Sequence, residues 1–282
     1  MLPDFLITDL VDRALAEDLS GGDLTTEALV HAEARGIARI TAKSRLVVCG
    51  SRILARAFYR VDPGLRVEEY VEDGAGVEPG ELLWVAEGRT RGLLMAERTA
   101  LNFVQHLSGI ATLTRSYVEA LPQGSKTRIV DTRKTTPGLR QIERYAVRTG
   151  GGHNHRDALG SAVLIKENHI AAAGGVSQAI ERARQHAPHT SRIEIEVEEL
   201  EQIEEALSAR ADILMLDNFA DADVEAAVRR INGRALVEVS GGITLERIPR
   251  LAALGVDVIS VGALTHSVKA ADISLRLESL SQ

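Results

Sequence analysis

The sequence predicts an α/β protein, with a parallel sheet wound by helices in the second half of the chain and a smaller α+β domain in the first. Three observations carry this. From about Lys126 onward, short β-branched runs alternate with helical stretches, the rhythm of βα units around a parallel sheet. Each of those runs closes on a polar residue or a glycine. Before Lys126, strand-like runs follow one another between helices, which is the pattern of an α+β domain.

In chain order, a helix is expected over Phe5–Asp18, ahead of the turn-like Gly21-Gly22-Asp23. Strands are expected at Gly36–Thr41, Leu46–Val48, Leu65–Val71 and Leu82–Ala86, then a helix from about Gly92 to Leu107. Val71–Gly88 superficially resembles the hairpin of a lipoyl or biotinyl carrier domain. Such a domain needs a lysine at the hairpin tip, and none occurs between Lys43 and Lys126, so that reading fails. The later strands are expected at Arg128–Asp131, Ala162–Ile165, Ile193–Val197, Ile213–Leu216, Leu236–Val239 and Val258–Val261. Helices such as Val176–His186 and Leu245–Leu254 lie between them. The residues closing these strands are Asp131/Arg133/Lys134, Lys166, Glu196, Asp217, Ser240-Gly241-Gly242 and Gly262. Chemistry at the carboxyl end of every strand is how a (β/α) barrel builds a site, whereas an open sheet gathers it at one switch point. The six strands fall short of a full barrel's eight, so the barrel would be incomplete or borrow another strand.

With 282 residues, 45% hydrophobic and 26% charged, the chain has the composition of an ordinary soluble protein with ample material for a core. The single cysteine, Cys49, excludes an internal disulfide and a cysteine-based metal cluster, and reads as a small buried hydrophobe. No stretch is long and apolar enough to span a bilayer, and the start, Met1-Leu2-Pro3-Asp4, lacks the positive region of a signal peptide. No membrane association and a cytoplasmic location are expected.

Charge is unevenly placed. Between Lys126 and Arg156 there are eight Lys/Arg and two acids, a balance of +6, in a chain whose net charge is -7. A basic island in an acidic protein suits a polyanionic ligand. Nucleic acid fits poorly, because the overall charge repels it and aromatics for stacking are only 3% of the chain. A small, densely charged substrate fits better.

Ser240-Gly241-Gly242 and Gly262 follow late strands, where barrels commonly hold phosphate on backbone N–H groups. In Ile193-Glu194-Ile195-Glu196-Val197-Glu198 alternation puts the glutamates on one face, and at least one carboxylate, Glu196, is expected to point inward. Asp217 ends an apolar strand at the same rim. This pair of hard oxygen donors suits Mg²⁺. His153-Asn154-His155 has the spacing of a metal-binding pair, but Arg156 beside it repels a cation, and anion binding by His155 and Arg156 fits better. Arg98, read alone, is a surface charge.

The runs TRKTTPGLR, GGGHNHR, LIKENHI, EVE followed by LDNF, and VSGGI followed by SVGALTHS closely resemble the quinolinate phosphoribosyltransferase family. The amino-terminal EDLSGGDLTT and the helix AERTALNFVQHLSGIAT extend the likeness over nearly the whole chain. The resemblance implies an amino-terminal α+β sandwich domain, residues 1–110 with a helical linker to about 125. It further implies an incomplete, seven-stranded (β/α) barrel over 111–282, whose tail packs back on the first domain. The implied reaction transfers phosphoribosyl from phosphoribosyl pyrophosphate (PRPP) to quinolinate with loss of CO₂, giving nicotinate mononucleotide in NAD biosynthesis. Carried over by motif, Arg133, His155, Arg156 and Lys166 hold the quinolinate carboxylates, with Arg98 donated by the second subunit of a homodimer. Lys134 lies near PRPP, Glu196 and Asp217 serve the ribose hydroxyls and Mg²⁺, and Ser240, Gly241, Gly242 and Gly262 bind phosphate. Lys134, Lys166, Glu196 and Asp217 form the implied catalytic set. His153 takes no role from the resemblance. Two other readings are weighed: a molybdenum-transport-associated paralogue acting on another acceptor, and a non-catalytic sensor of PRPP or a nucleotide. The intact dicarboxylate grip argues against the first, and the Glu196/Asp217 pair against the second.

Overall fold

The computed structural model describes residues 2–280; Met1, Ser281 and Gln282, at the outer ends of the two expected domains, lie outside the described residues. The chain divides into two compact units. One comprises Met1–Arg115, Gln141–Gly151 and Ser267–Gln282, the other Ser116–Arg140 and Gly152–His266. The division is therefore not a single cut along the sequence.

The first unit opens with α1 (Asp4–Leu19), which buries Ile7, Leu10, Val11 and Leu15, and α2 (Leu24–Leu29), capped by the Asp23 carboxylate accepting from Thr26 N–H at 2.9 Å. Then come β1 (Arg35–Ala42), β2 (Leu46–Val47), α3 (Ser51–Val61), β3 (Arg66–Glu69), β4 (Gly76–Val77), β5 (Leu82–Arg89) and α4 (Thr90–Glu119). Alternation along β1 buries Gly36, Ala38, Ile40 and Ala42 on one face. β1 lies between β5 and the carboxyl-terminal strand Ile273–Ser279, antiparallel to both, and β3 completes a four-stranded sheet. The expected helix ending near Leu107 instead continues for 30 residues in all. Gly109 lies inside it, at a position where a side chain would meet the Lys269 carbonyl oxygen at 2.4 Å.

The second unit holds a six-stranded parallel sheet. Its strands are β6 (Arg128–Val130), β7 (Val163–Ile165), β8 (Ile193–Val197), β9 (Ile213–Asp217), β10 (Leu236–Ser240) and β11 (Val258–Ser260), in the order β6-β11-β10-β9-β8-β7. Helices follow the strands, among them Val176–His186, Asp221–Ile231 and Ile248–Ala253. The sheet is an unclosed barrel. The expected seventh strand is reduced, among the described residues, to a single bridge. His153 pairs in parallel with Val130, donating N–H to the Ile129 carbonyl at 2.8 Å and accepting from Asp131 N–H at 3.2 Å. His153, without a role in the sequence reading, is thus the backbone edge where the barrel stops.

Candidate active site

In a parallel sheet, residues in register share a face with neighbours two positions away. Register places Leu164, Glu194, Ile213 and Leu236 in one row, Glu196, Met215, Glu238 and Val258 in the next, and Asp217 beside Ser240 at the strand ends. At that carboxyl end lies a cavity of about 560 Å³. Its wall contains Arg133, Lys134, His155, Arg156, Lys166, Glu196, Asp217 and Ser240, eight of the residues that the sequence reading singled out. Thr132, Leu164, Glu167, Glu198, Met215 and Ser260 complete it. The cations follow β6 and precede or follow β7, the two end strands. Glu196, Glu198 and Asp217 come from β8 and β9 and the residue just beyond β8.

Other expected residues stand outside the wall. Arg98 lies on α4 in the other compact unit. Gly241, Gly242 and Gly262 shape the rim rather than line the cavity. Gly241 has φ +82°, and a side chain there would meet Asn218 Oδ1 at 2.1 Å, so only glycine closes this turn against the end of β9. Arg247 braces the same turn, donating to the carbonyls of Gly241 at 3.3 Å and Gly242 at 3.0 Å while pairing with Asp221 at 2.9 Å. Thr265 in turn donates its hydroxyl to the Lys134 carbonyl at 2.7 Å. Neither Arg247 nor Thr265 was foreseen. Of the basic island, Arg133, Lys134 and Arg156 reach the cavity, whereas Arg144 and Arg148 lie on the helix Arg140–Thr149, which belongs to the first unit from Gln141 onward.

One ion pair lies within the wall. The Lys166 ammonium donates to Glu196. Burial nevertheless raises the Glu196 carboxyl above its ordinary range, against the pull of Lys166 and with a push from Asp217. Burial, and then the neighbouring Arg133, lower the Arg156 guanidinium. Arg133 Nε is buried with no hydrogen-bond partner among the described residues. Asp131, fully buried, fixes the His-containing loop: its carboxylate accepts from the His155 N–H at 2.7 Å and from Asn154 Nδ2 at 2.5 Å.

Two further carboxylates stand near the cavity without lining it, and the sequence reading gave neither a role. His155 Nε2 faces Glu194 Oε2 at 3.2 Å and Glu238 Oε1 at 3.5 Å. Burial, then the charge of Glu194, push the Glu238 carboxyl up to about 7. Burial opposes a charged His155 ring while Glu194 and Glu238 favour it, and the balance raises its pKa. A signal for Glu238 was present: it is a lone acid in the apolar strand Leu236-Val237-Glu238-Val239.

Glu196 and Asp217, hard oxygen donors on adjacent strands, fit a magnesium ion by donor type. Asp217 also accepts from Asn218 Nδ2 at 2.7 Å.

Comparison with known proteins agrees with this architecture. Residues 23–108 match the model of the quinolinate phosphoribosyl transferase N-terminal domain, and 110–276 that of the C-terminal domain. The chain is 45% identical over 276 residues to the nicotinate-nucleotide pyrophosphorylase [carboxylating] of Mycobacterium leprae, covering 95% of this chain and 96% of that one. It is 43% identical to the probable enzyme of that name from Bacillus subtilis, over 94% of this chain and 91% of the relative. The crystal structure of NadC from Streptococcus pyogenes superposes with a TM-score of 0.95 at 42% identity, covering 100% of this chain and 99% of the other. With both domain models and full-length relatives in agreement, the chain belongs to the quinolinate phosphoribosyl transferase family.

Proposed function

We propose that this chain is a nicotinate-nucleotide pyrophosphorylase (carboxylating): it joins quinolinate to PRPP and releases pyrophosphate and CO₂. The observation that supports this reading is one cavity whose wall holds both a set of cations, Arg133, Lys134, Arg156 and Lys166, and a set of carboxylates, Glu196, Glu198 and Asp217. Arg133, Arg156 and Lys166 bind and orient the quinolinate carboxylates, with His155 at the same wall. Lys134 and the Ser240-Gly241-Gly242 and Gly262 turns receive the phosphates. Glu196 and Asp217 face the ribose, where their charge stabilises the cationic character that develops at the anomeric carbon as pyrophosphate leaves. These carboxylates would also hold Mg²⁺, whose chemistry when bound is to neutralise the departing pyrophosphate. Once the ring nitrogen carries ribose, its positive charge stabilises the electron pair left on the adjacent ring carbon as CO₂ departs, the nearby cations favour that charge distribution, and a proton from solvent then takes the vacated position.

Arg98 belongs to this proposal as a residue donated by the second copy in a homodimer, and a cytoplasmic location is part of it too. No helix among the described residues is long and apolar enough to cross a membrane. Arg98→Ala and Lys134→Ala proteins should each be nearly inactive. Verified mixed dimers should regain a fraction of activity, because both lesions fall in one site. Mixed dimers as inactive as both parents would remove Arg98 from the shared-site account. The substrate reading is tested by comparing quinolinate with nicotinate as acceptor, with and without a chelator. Preference for nicotinate refutes the substrate, and turnover untouched by the chelator refutes the metal.

A further inference from the structure

Glu194 and Glu238 need an explanation that packing does not supply. Each is 3% exposed, and they lie on β8 and β10, on the same sheet face as the cavity-lining Glu196 and Ser240. Burying two carboxyl groups side by side opposes folding unless something nearby compensates. Neither lines the cavity. What they share is the Nε2 edge of His155, which reaches both oxygens of Glu194 at 3.2 and 3.3 Å and Glu238 Oε1 at 3.5 Å, while the Ser260 hydroxyl also hydrogen-bonds Glu238. Glu238 Oε1 is buried and has no hydrogen-bond partner of good geometry among the described residues.

The opposite edge of the ring is used as well. His155 Nδ1 accepts from the Arg156 N–H at 2.7 Å. The ring therefore spans from two buried carboxylates to the backbone of the residue whose guanidinium enters the cavity. That guanidinium is steadied in turn by the Ala162 carbonyl, 3.0 Å from Nη1. The three groups also have the composition of a metal site. With Nδ1 accepting from Arg156, however, the ring's proton sits on Nε2, which leaves no lone pair there for a cation.

We infer that Glu194 and Glu238 are positioning residues. They hold the His155 ring from below, and the ring sets Arg156 at the height where it meets a substrate carboxylate. This rests on the reading that the cavity takes quinolinate, and it deepens that reading. His155 acts in this arrangement as a strut between buried carboxylates and the Arg156 backbone.

The test uses the full-length protein with ¹⁵N-labelled histidine. A His155 Nε2–H resonance protected from solvent exchange, assigned by its loss in His155→Gln, is expected in the wild type. It should persist in Glu194→Gln, whose amide oxygen still accepts, and vanish in the Glu194→Ala/Glu238→Ala double variant. In that double variant KM for quinolinate should rise roughly tenfold, the effect of one misplaced charge-assisted hydrogen bond, with KM for PRPP within about twofold of wild type. Glu194→Gln should restore most of the quinolinate KM, which a general loss of fold would not allow. A wild-type ring proton in free exchange overturns the inference, as does an unchanged quinolinate KM in a folded double variant or an equal rise in both KM values. A wild type inert toward quinolinate refutes the functional reading instead, and the resonance then decides the strut by itself.

Discussion

Replacing Glu196 by glutamine should move the two substrates in opposite directions. In the free protein the Lys166 ammonium is already paired with Glu196, and the side chains are 43% and 8% exposed. A quinolinate carboxylate arriving at Lys166 has to compete with that pairing. Two unit charges about 4 Å apart attract by about 1 kcal/mol in bulk water and about 4 kcal/mol near a protein surface. The lysine end is open to solvent and salt, which brings the attraction down to about 1–2 kcal/mol. Neutralising Glu196 frees Lys166, so quinolinate should bind about 5–30-fold more tightly. PRPP with Mg²⁺ should bind more weakly, because a hard carboxylate donor is lost, and turnover should fall. Titration calorimetry with each ligand separately measures both effects, and raising the ionic strength should shrink the gain. Lys166→Gln combined with Glu196→Gln should show no gain at all. If Glu196→Gln leaves quinolinate affinity unchanged or weakens it, the pair is not what restrains Lys166 and the reasoning fails.

Other perturbations address separate parts of the site. Arg156→Ala removes a charge-assisted carboxylate partner worth about 1.5–3 kcal/mol and should weaken quinolinate binding about 10–150-fold, with a much smaller effect on PRPP; calorimetry giving the reverse ranking would overturn the division of the cavity. Arg247→Ala releases the carbonyls of Gly241 and Gly242 and should raise KM for PRPP several-fold while sparing that for quinolinate. Steady-state kinetics showing the opposite split would detach this turn from phosphate binding. Glu238 has a folded-state pKa raised from 4.5 to about 7, so the native protein binds the extra proton, and the associated stability is full below 4.5 and lost as pH climbs through about 7. Glu238→Gln should therefore unfold at a higher urea concentration than wild type at pH 8, with the advantage shrinking toward pH 5; an advantage independent of pH would show that the carboxyl is not held protonated by the fold.

Much of the sheet was legible because parallel strands buried on both faces read as apolar runs, and their carboxyl ends announce themselves by polarity. Ile193–Val197 matches the strand residue for residue, and the others differ by a position at an end. Two kinds of feature escaped. The continuation of the long helix beyond Leu107 was one, and the close approach of a distant backbone to Gly109 leaves no trace in the local sequence. The helix Arg140–Thr149 joins the first unit from Gln141 onward through packing that no periodicity reveals, whereas a return of the tail to the first domain was already implied by the family resemblance. The strand-end residues named from the sequence line one cavity, whereas Arg247 and Thr265, which brace its turns, were not named. Of the charge clustered in sequence, Arg144 and Arg148 lie on a helix assigned to the first unit. Glu194 was overlooked although the alternation that flagged Glu196 applies to it equally.

Phosphoribosyl transfer and decarboxylation of quinolinate are coupled in one cavity, and the coupling can be followed through its products. Its most direct measurement uses quinolinate labelled in the carboxyl group beside the ring nitrogen, incubated with PRPP and Mg²⁺, with CO₂, pyrophosphate and nicotinate mononucleotide quantified together. Equal amounts of labelled CO₂, pyrophosphate and mononucleotide, all abolished in Lys134→Ala, are predicted. Mononucleotide that retains the label, or pyrophosphate released without CO₂, would contradict the account.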